Sequence, residues 1–325
     1  MSDATLDWPS WATLTQRSRL IAEIRRFFEA RNVLEVTTPA LYGHAPYDPH
    51  LSSIAVTTSS GTEYLQTSPE YALKRALAHY GEALFEITPA FRAGDVGQRH
   101  SPEFTMLEWY QPTYGLSQLM AEVNALLNAM TQPPAIWQEY ANKEIPEVSF
   151  CTTFTEQFGA NPNQLSTIEL WALVQSVESE VGHLTYIDDD LFRSDCLDFL
   201  FDRVIAPNLD PIFYLTEFPV CQSALATIDS DAQTVRRFEL YWMGIELANG
   251  YEELRDPVEI RQRFRSAAEQ RRRRGLTEVA LDPAFVEASG EMPACAGVAL
   301  GLDRLIMVWL ERSSLREVQI NFAAD

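Results

Sequence analysis

Twenty residues, Phe91 to Tyr110 (FRAGDVGQRHSPEFTMLEWY), constrain this chain more than any other stretch. They read as strand, loop, strand. A first strand enters over Ala83 to Phe91 through Leu84, Phe85 and Ile87, and Arg92 sits where it ends. Gly94 and Gly97 break the pattern, being small and conformationally permissive. Glu103 to Tyr110 then reads as the second strand. Period-two geometry puts Phe104, Met106, Glu108 and Tyr110 on one face and Thr105, Leu107 and Trp109 on the other. A carboxylate among bulky neighbours on the first face needs a cationic or hydrogen-bonding partner. The loop gathers Arg92, Arg99 and His100, which suit an anion. A plain antiparallel hairpin with a solvated basic loop is the competing reading.

Charge narrows the function classes. The 325 residues carry a net charge of −21. A phosphate-binding surface wants excess Lys and Arg, so broad nucleic-acid binding is disfavoured while a local patch is not. With 46% hydrophobic and 22% charged residues, the composition is that of an ordinary soluble globular protein. No apolar run reaches membrane-spanning length. The opening MSDATLDWPSWATL has no basic leader followed by a hydrophobic run, so no secretory signal is expected. Cys151, Cys196, Cys221 and Cys295 are dispersed without a CxxC pair, which indicates neither a zinc site nor a disulfide framework. A cytoplasmic location is expected.

The rest of the chain alternates helices and strands. Thr13 to Arg31 is predicted helical, with Leu20, Ile21, Ile24, Phe27 and Phe28 on one face. A strand is predicted at Val33 to Thr37, closed by Pro39, and others at Ile54 to Thr58 and Glu63 to Gln66. In TSPEYALKRALAHYG, Ser68 suits the N-cap, Pro69 the first helical position and Gly81 the end. Glu70 then lies in the first turn, where simple compensation of the helix dipole would explain it. Ser117 to Met130 is predicted as an amphipathic helix, Thr131 to Phe150 mostly as loop, and Ser166 to Val181 and Asp188 to Val204 as helices. Ile212 to Leu215 reads as a strand.

Arg236 to Leu254 (RRFELYWMGIELANGYEEL) is the second informative block. Phe238, Leu240 and Trp242 share one face, and Arg237, Glu239 and Tyr241 the other. Gly244 permits a turn, and a strand begins at Ile245. Asn249-Gly250 is a second candidate hairpin turn. If the strand instead continues, Asn249, Tyr251 and Glu253 share a face. Glu239 and Glu246, on adjoining strands, can supply carboxylate oxygens to a divalent ion on a triphosphate. Val258 to Arg274 is a helix rich in arginine, either a solvated basic face or a docking site for an acidic protein. Finally GVALGLDRLIMVWL, Gly297 to Leu310, reads as strand, glycine turn, helix, with Arg304 in the first helical turn, where an anion is favoured.

These blocks, in this order, resemble the class II aminoacyl-tRNA synthetases, and within them the lysyl branch. HSPEFTMLEWY is similar to motif 2, Gly297 to Leu310 to motif 3, the first helix and strand to motif 1, and GIELANGYEEL to the GxELxNGxxEL segment. The likeness runs from about Thr13 to Phe322. It implies an α+β fold, a catalytic core of antiparallel sheet flanked by helices. One catalytic domain over residues 1–325 is expected, with a helical insertion at about 115–210 and no anticodon-binding domain.

The resemblance also implies chemistry: a carboxylate attacks the α-phosphate of ATP, giving an aminoacyl adenylate and pyrophosphate. Arg92 and Arg304 would be catalytic. ATP would be held by Arg92, Ala93, Gly94, His100, Ser101, Phe104 (stacked on adenine), Glu246, Leu247, Gly301 and Arg304. Glu239 and Glu246 would bind Mg2+. Ser68, Pro69, Glu70, Glu108, Tyr110, Asn249, Tyr251, Glu253 and Ala299 would form a lysine-like pocket. A carboxylate beside an aromatic ring is a sensible receptor for an ammonium. Motif 1 implies a homodimer.

Three departures qualify the likeness. Motif 1 begins near residue 13, leaving no room for the N-terminal anticodon barrel of lysyl-tRNA synthetases. The usual Arg-Asn-Glu is Arg92-Ala93-Gly94 followed by Asp95, so the adenine-reading glutamate is missing. Ala299 stands where that branch usually has glycine. The pattern is most similar to truncated lysyl-synthetase relatives that attach (R)-β-lysine to a lysine of bacterial elongation factor P. That resemblance implies elongation factor P as acceptor, (R)-β-lysine or lysine as substrate, and no bulk tRNA charging. A minimal lysyl-tRNA synthetase and a non-catalytic regulatory relative are the alternatives.

Overall fold

The computed structural model describes residues 8–45, 51–59, 61–179, 181, 187, 189–275 and 280–320. The opening Met1 to Asp7, the predicted helix start at Asp188 and the end of the likeness at Phe322 lie outside them. The elements in order are α1 (Trp11–Glu29), β1 (Leu34–Glu35), β2 (Leu41–Tyr42), β3 (Ala55–Thr58), β4 (Gly61–Leu65), α2 (Glu70–Tyr80), β5 (Leu84–Phe91), β6 (Glu103–Pro112) and α3 (Leu116–Ala129). Then come β7 (Glu147–Ser149), α4 (Phe150–Phe158), α5 (Thr167–Val177), α6 (Asp190–Leu200), β8 (Ile212–Pro219), β9 (Ile228–Asp229), β10 (Thr234–Trp242) and β11 (Ile245–Glu252). The last are α7 (Pro257–Arg273), α8 (Pro283–Ser289), β12 (Cys295–Gly301) and α9 (Leu302–Trp309). They fall into two compact units, one drawn from Met1–Pro46, His50–Glu144 and Ala280–Asp325, the other from Tyr47–Pro49 and Ile145–Val279.

In the first unit the strands run β1-β5-β6-β12. Pairing is antiparallel except at the edge, where β1 lies parallel to β5. One face of this sheet is apolar, as the alternation predicts. Phe28 of α1 stacks on Phe85 with centroids 4.4 Å apart and meets Trp109 edge-on at 5.2 Å. Side chains of that size each contribute about 1.5–3 kcal/mol when fully buried. Glu122 of α3 is drawn into the same face, accepting from Trp109 Nε1 at 2.9 Å and Gln111 Nε2 at 2.8 Å. Burial, the largest influence, pushes its carboxyl up, and those two donors only partly offset it. The opposite face carries Glu86, Glu108 and Ala299 in one cross-strand row. There α2 packs, burying Leu73 and Leu77 with Leu84, Tyr110 and Cys295.

Two details differ from expectation. The strand after α1 is only Leu34–Glu35. Helix α2 starts at Glu70 with Pro69 in the cap position, so Ser68 is one residue outside it. Its hydroxyl still accepts the Glu70 N–H at 3.1 Å, while donating elsewhere. Gly81 ends the helix at φ 68°, a conformation that favours glycine.

The second unit is built on strands β11-β10-β8-β7, with β9 beside β10. Its core is aromatic: Phe150, Phe154, Phe192, Phe201, Phe213 and Phe218 are buried together. The stretch expected as loop contains a 3-10 turn at Ala135–Glu139 and the edge strand β7, parallel to β8. Helix α5 is closed by a capping box in which Ser166 and Glu169 exchange bonds.

The β10–β11 turn settles the competing hairpin readings. Met243 and Gly244 take φ 50° and 72°, as a two-residue type I′ turn demands. Asn249 and Gly250 instead continue the strand, opposite Glu239 and Phe238. The basic helix is only partly a solvated face. Arg271 is buried, Arg274 pairs with Asp189 and Asp195, and Arg263 donates to the carbonyls of Ala224 and Ala226 at 2.8 Å.

Candidate active site

The first unit holds two chemically opposite regions. One is cationic. Arg92 follows β5, its N–H bonded to the Pro102 carbonyl at 2.9 Å. Its guanidinium lies 5.1 Å from the Phe104 ring centroid, and its buried Nε has no hydrogen-bond partner among the described residues. Gly94, at φ 86°, turns the loop back, and Gly97 bridges His100. Arg304, in the first turn of α9, donates from Nε to the Arg99 carbonyl at 3.1 Å. The His100 imidazole is held below its ordinary pKa, first by burial and then by Arg304, with Arg92 and Arg99 acting in the same sense and Asp95 against. Arg92, Arg99 and Arg304 therefore converge around a neutral histidine, an arrangement that favours a polyanion.

Beside Arg304, Asp303 anchors the helix. It is buried, pairs with Arg17 of α1 at 2.5 Å and accepts the Thr105 N–H at 2.6 Å. One carboxylate thus ties α1, β6 and α9 together and fixes where Arg304 starts from.

The other region is anionic. Glu108 is buried and accepts from the Ser68 hydroxyl and the Tyr110 hydroxyl, each at 2.6 Å. Burial, above all, pushes its carboxyl up to about 7, and Glu70 adds to this; Ser68, Tyr110 and Lys74 act in the opposite sense. On one side of it in the sheet stands Glu86, whose carboxylate accepts from Thr38 N at 3.0 Å and Thr38 Oγ1 at 2.8 Å. On the other side stands Ala299, presenting a half-buried methyl opposite Glu108. Lys74, one turn after Glu70 in α2, bonds Glu70 Oε1 at 2.5 Å.

In the second unit a bulge does the positioning. Tyr241 pairs with Glu246 and Leu240 with Ala248, so Leu247 is the extra residue in β11. Without it, Glu246 would share a face with Ala248 and Gly250. With it, Glu246 joins Asn249 and Tyr251 on the face of Arg237, Glu239 and Tyr241. Leu247 itself is buried. Glu239 is buried, paired with Arg237 and bonded by the Tyr241 hydroxyl at 3.0 Å. Burial pushes its carboxyl up; Arg237 opposes this and Glu246 reinforces it. Arg237 also donates to Asn249 Oδ1 at 3.2 Å and to the Gln222 carbonyl at 3.0 Å. Glu253 is buried and bridges Ala226 just beyond the strand.

A profile of the tRNA synthetases class II (D, K and N) matches residues 9–324. The chain belongs to this class II synthetase family. It is 38% identical over 320 residues to an elongation factor P–(R)-β-lysine ligase of Pseudoalteromonas translucida, covering 95% of this chain and 94% of that one. Proteins of the same name from Haemophilus ducreyi (37%, 98% of each chain) and Sodalis glossinidius (38%, 100% of this chain and 99% of that one) are similar to the same degree. As a class II synthetase it takes ATP as substrate.

Several partners of the residues singled out by the resemblance were not read from the sequence. Lys74 carried a signal, being four residues after Glu70 in a helix. Glu86 carried one as an acidic residue amid an apolar strand. Arg237 was assigned to the right face without a role. Arg17 and Asp303 meet across 286 residues of chain, and no local pattern announces such a pair.

Proposed function

We propose that this class II synthetase activates (R)-β-lysine with ATP and transfers it to a lysine side chain of elongation factor P. The substrate carboxylate attacks the α-phosphate and pyrophosphate leaves. The acceptor amine then attacks the adenylate carbonyl, forms an amide, loses a proton and expels AMP. The observation that carries the reading is the contrast within the first unit: arginines around His100 for the phosphates, and buried Glu108 with Tyr110 for an ammonium. Arg92 and Arg304 stabilise charge on the transferring phosphoryl group. Ser68, Glu70, Glu108 and Tyr110 bind the amine end; by the family resemblance, Asn249, Tyr251 and Glu253 are also assigned to the amino-acid substrate. The relatives' names support the acceptor.

Glu239 and Glu246 fit Mg2+ by donor type. They are hard carboxylates on one face, and this ion is commonly held by one or two carboxylates plus substrate phosphates. When bound, it would neutralise phosphate charge, and Arg237 would keep Glu239 oriented toward it. A homodimer through α1 and β1 is part of the proposal. Trp11 and Leu34 there are 83% and 66% exposed, and large apolar side chains left open in this way fit a second copy. Among the described residues no helix is long and apolar enough to cross a membrane, and a cytoplasmic location accords with the proposed acceptor.

Radiolabel transfer tests the reading. With ATP and labelled (R)-β-lysine, elongation factor P is expected to acquire label at one lysine, and tRNA to acquire little. Efficient labelling of tRNA with no labelled protein would replace the proposal with tRNA charging. Ala299 supplies a second test. Its methyl lies opposite Glu108, so Ala299→Gly should raise α-lysine activation relative to β-lysine by about five-fold, the effect of roughly one methyl contact. An unchanged ratio of kcat/KM for the two isomers would make Ala299 a packing residue.

A further inference from the structure

Lys74 is 1% exposed, and its ammonium sits in the region just assigned to the substrate's own amine. Lysine is almost never buried this deeply without a charged partner. Here Glu70 Oε1 lies 2.5 Å from Nζ, and the Tyr110 ring centroid lies 5.9 Å away. Tyr110 in turn donates to Glu108, as does Ser68, whose oxygen also receives the Glu70 N–H. The residues Ser68, Glu70, Lys74, Glu108 and Tyr110 thus form one connected cluster with a resident cation.

We propose that Lys74 is a positioning residue for the amino-acid pocket: it fixes Glu70 by one oxygen, leaving the other for the substrate amine, and offsets the charge of two neighbouring carboxyls. This rests on the proposed lysine-type substrate. The geometry gives the reason. A glutamate in a first helical turn has several rotamers, and a buried cation one turn later selects one of them. An ammonium on Oε1 leaves Oε2 to accept from a ligand. The fixed charge also acts on Glu108, which it draws toward ionisation. Beyond its own members, Tyr42 and Glu86 are titratable groups beside this cluster among the described residues, and Arg75 acts on Tyr42. Burial, foremost, holds the Tyr42 hydroxyl above its usual range, with the carboxylates of Glu86 and Glu108 acting in the same sense.

Lys74→Met keeps the length and removes the charge; Lys74→Gln keeps a hydrogen-bond donor. Pyrophosphate exchange should show KM for the amino acid raised by roughly tenfold or more in both variants, with KM for ATP within about twofold. The pH at which the fall in apo-protein stability levels off, read by urea unfolding between pH 5 and 9, should move upward, because Glu108 loses a neighbour that favours its ionised form. A purely structural lysine would instead weaken both substrates together and lower stability without moving that pH. Such a result, or a Gln variant indistinguishable from wild type, overturns the proposal. If Met fails to fold, the Gln variant decides. Should the wild-type protein exchange pyrophosphate with neither lysine isomer, the proposed function falls. The unfolding profile then still decides about Lys74: a shifted profile upholds its action on Glu108, and an unmoved one ends it.

Discussion

Replacing Arg304 by alanine should reduce ATP–pyrophosphate exchange by about 10²–10³-fold, the usual consequence of deleting one preorganised electrostatic contact to a transition state. The side chain leaves the first turn of α9, so its charge adds to the positive end of the helix. Its Nε donates to the Arg99 carbonyl at 3.1 Å. Loss of that bond is a small cost to folding, about 1 kcal/mol. The neighbour Asp303 separates the two kinds of role. Asp303→Asn breaks a buried ion pair with Arg17 and weakens the Thr105 contact, so its main effect should be on stability, on the order of 3 kcal/mol. Full exchange activity in Arg304→Ala would remove the arginine from the reaction. Equal loss of stability in both variants would make it a structural residue.

The same pair of neighbours shows what the sequence could and could not disclose. Arg304 was legible because a strand, a glycine and an amphipathic helix place it by local pattern alone. So were β5, β6, α1 and α3, whose apolar periodicities are long and regular. Asp303 was not legible as an anchor, because its partners come from α1 and β6. The bulge at Leu247 was hidden for a different reason. GIELANG carries no glycine or proline at the extra residue, so the alternation reads straight through it, and Glu246 falls on the wrong face by simple counting. The Asn249-Gly250 pair pointed to a turn on local propensity, and pairing with Glu239 and Phe238 overrode it. Strand β7 is three residues long, too short for any periodicity to show.

Glu108 should give the molecule a pH dependence that substrate removes. Its carboxyl is pushed up to about 7 from an ordinary 4.5, first by burial and then by Glu70. A carboxyl raised in the folded state binds more protons there than when unfolded. Stability is therefore full below about pH 4.5 and falls as pH rises through 7, by up to about 3 kcal/mol. A substrate ammonium reverses the balance, because it pays only an ionised Glu108 with a charged hydrogen bond. Binding of the amino acid below pH 7 should then release close to one proton, measurable by calorimetry in buffers of different ionisation enthalpy. KM for the amino acid should fall as pH rises from 6 to 8 and level off above the inflection. Glu108→Gln keeps the size and the acceptors for Ser68 and Tyr110 in part, while abolishing the charge. It should flatten both profiles and raise that KM by roughly tenfold to a hundredfold, the loss of a charged hydrogen bond of about 1.5–3 kcal/mol, with ATP binding unchanged. A Gln variant that retains the wild-type inflection would assign the titration to another group. One that loses ATP and amino acid equally would move Glu108 out of the pocket and into the support of β6.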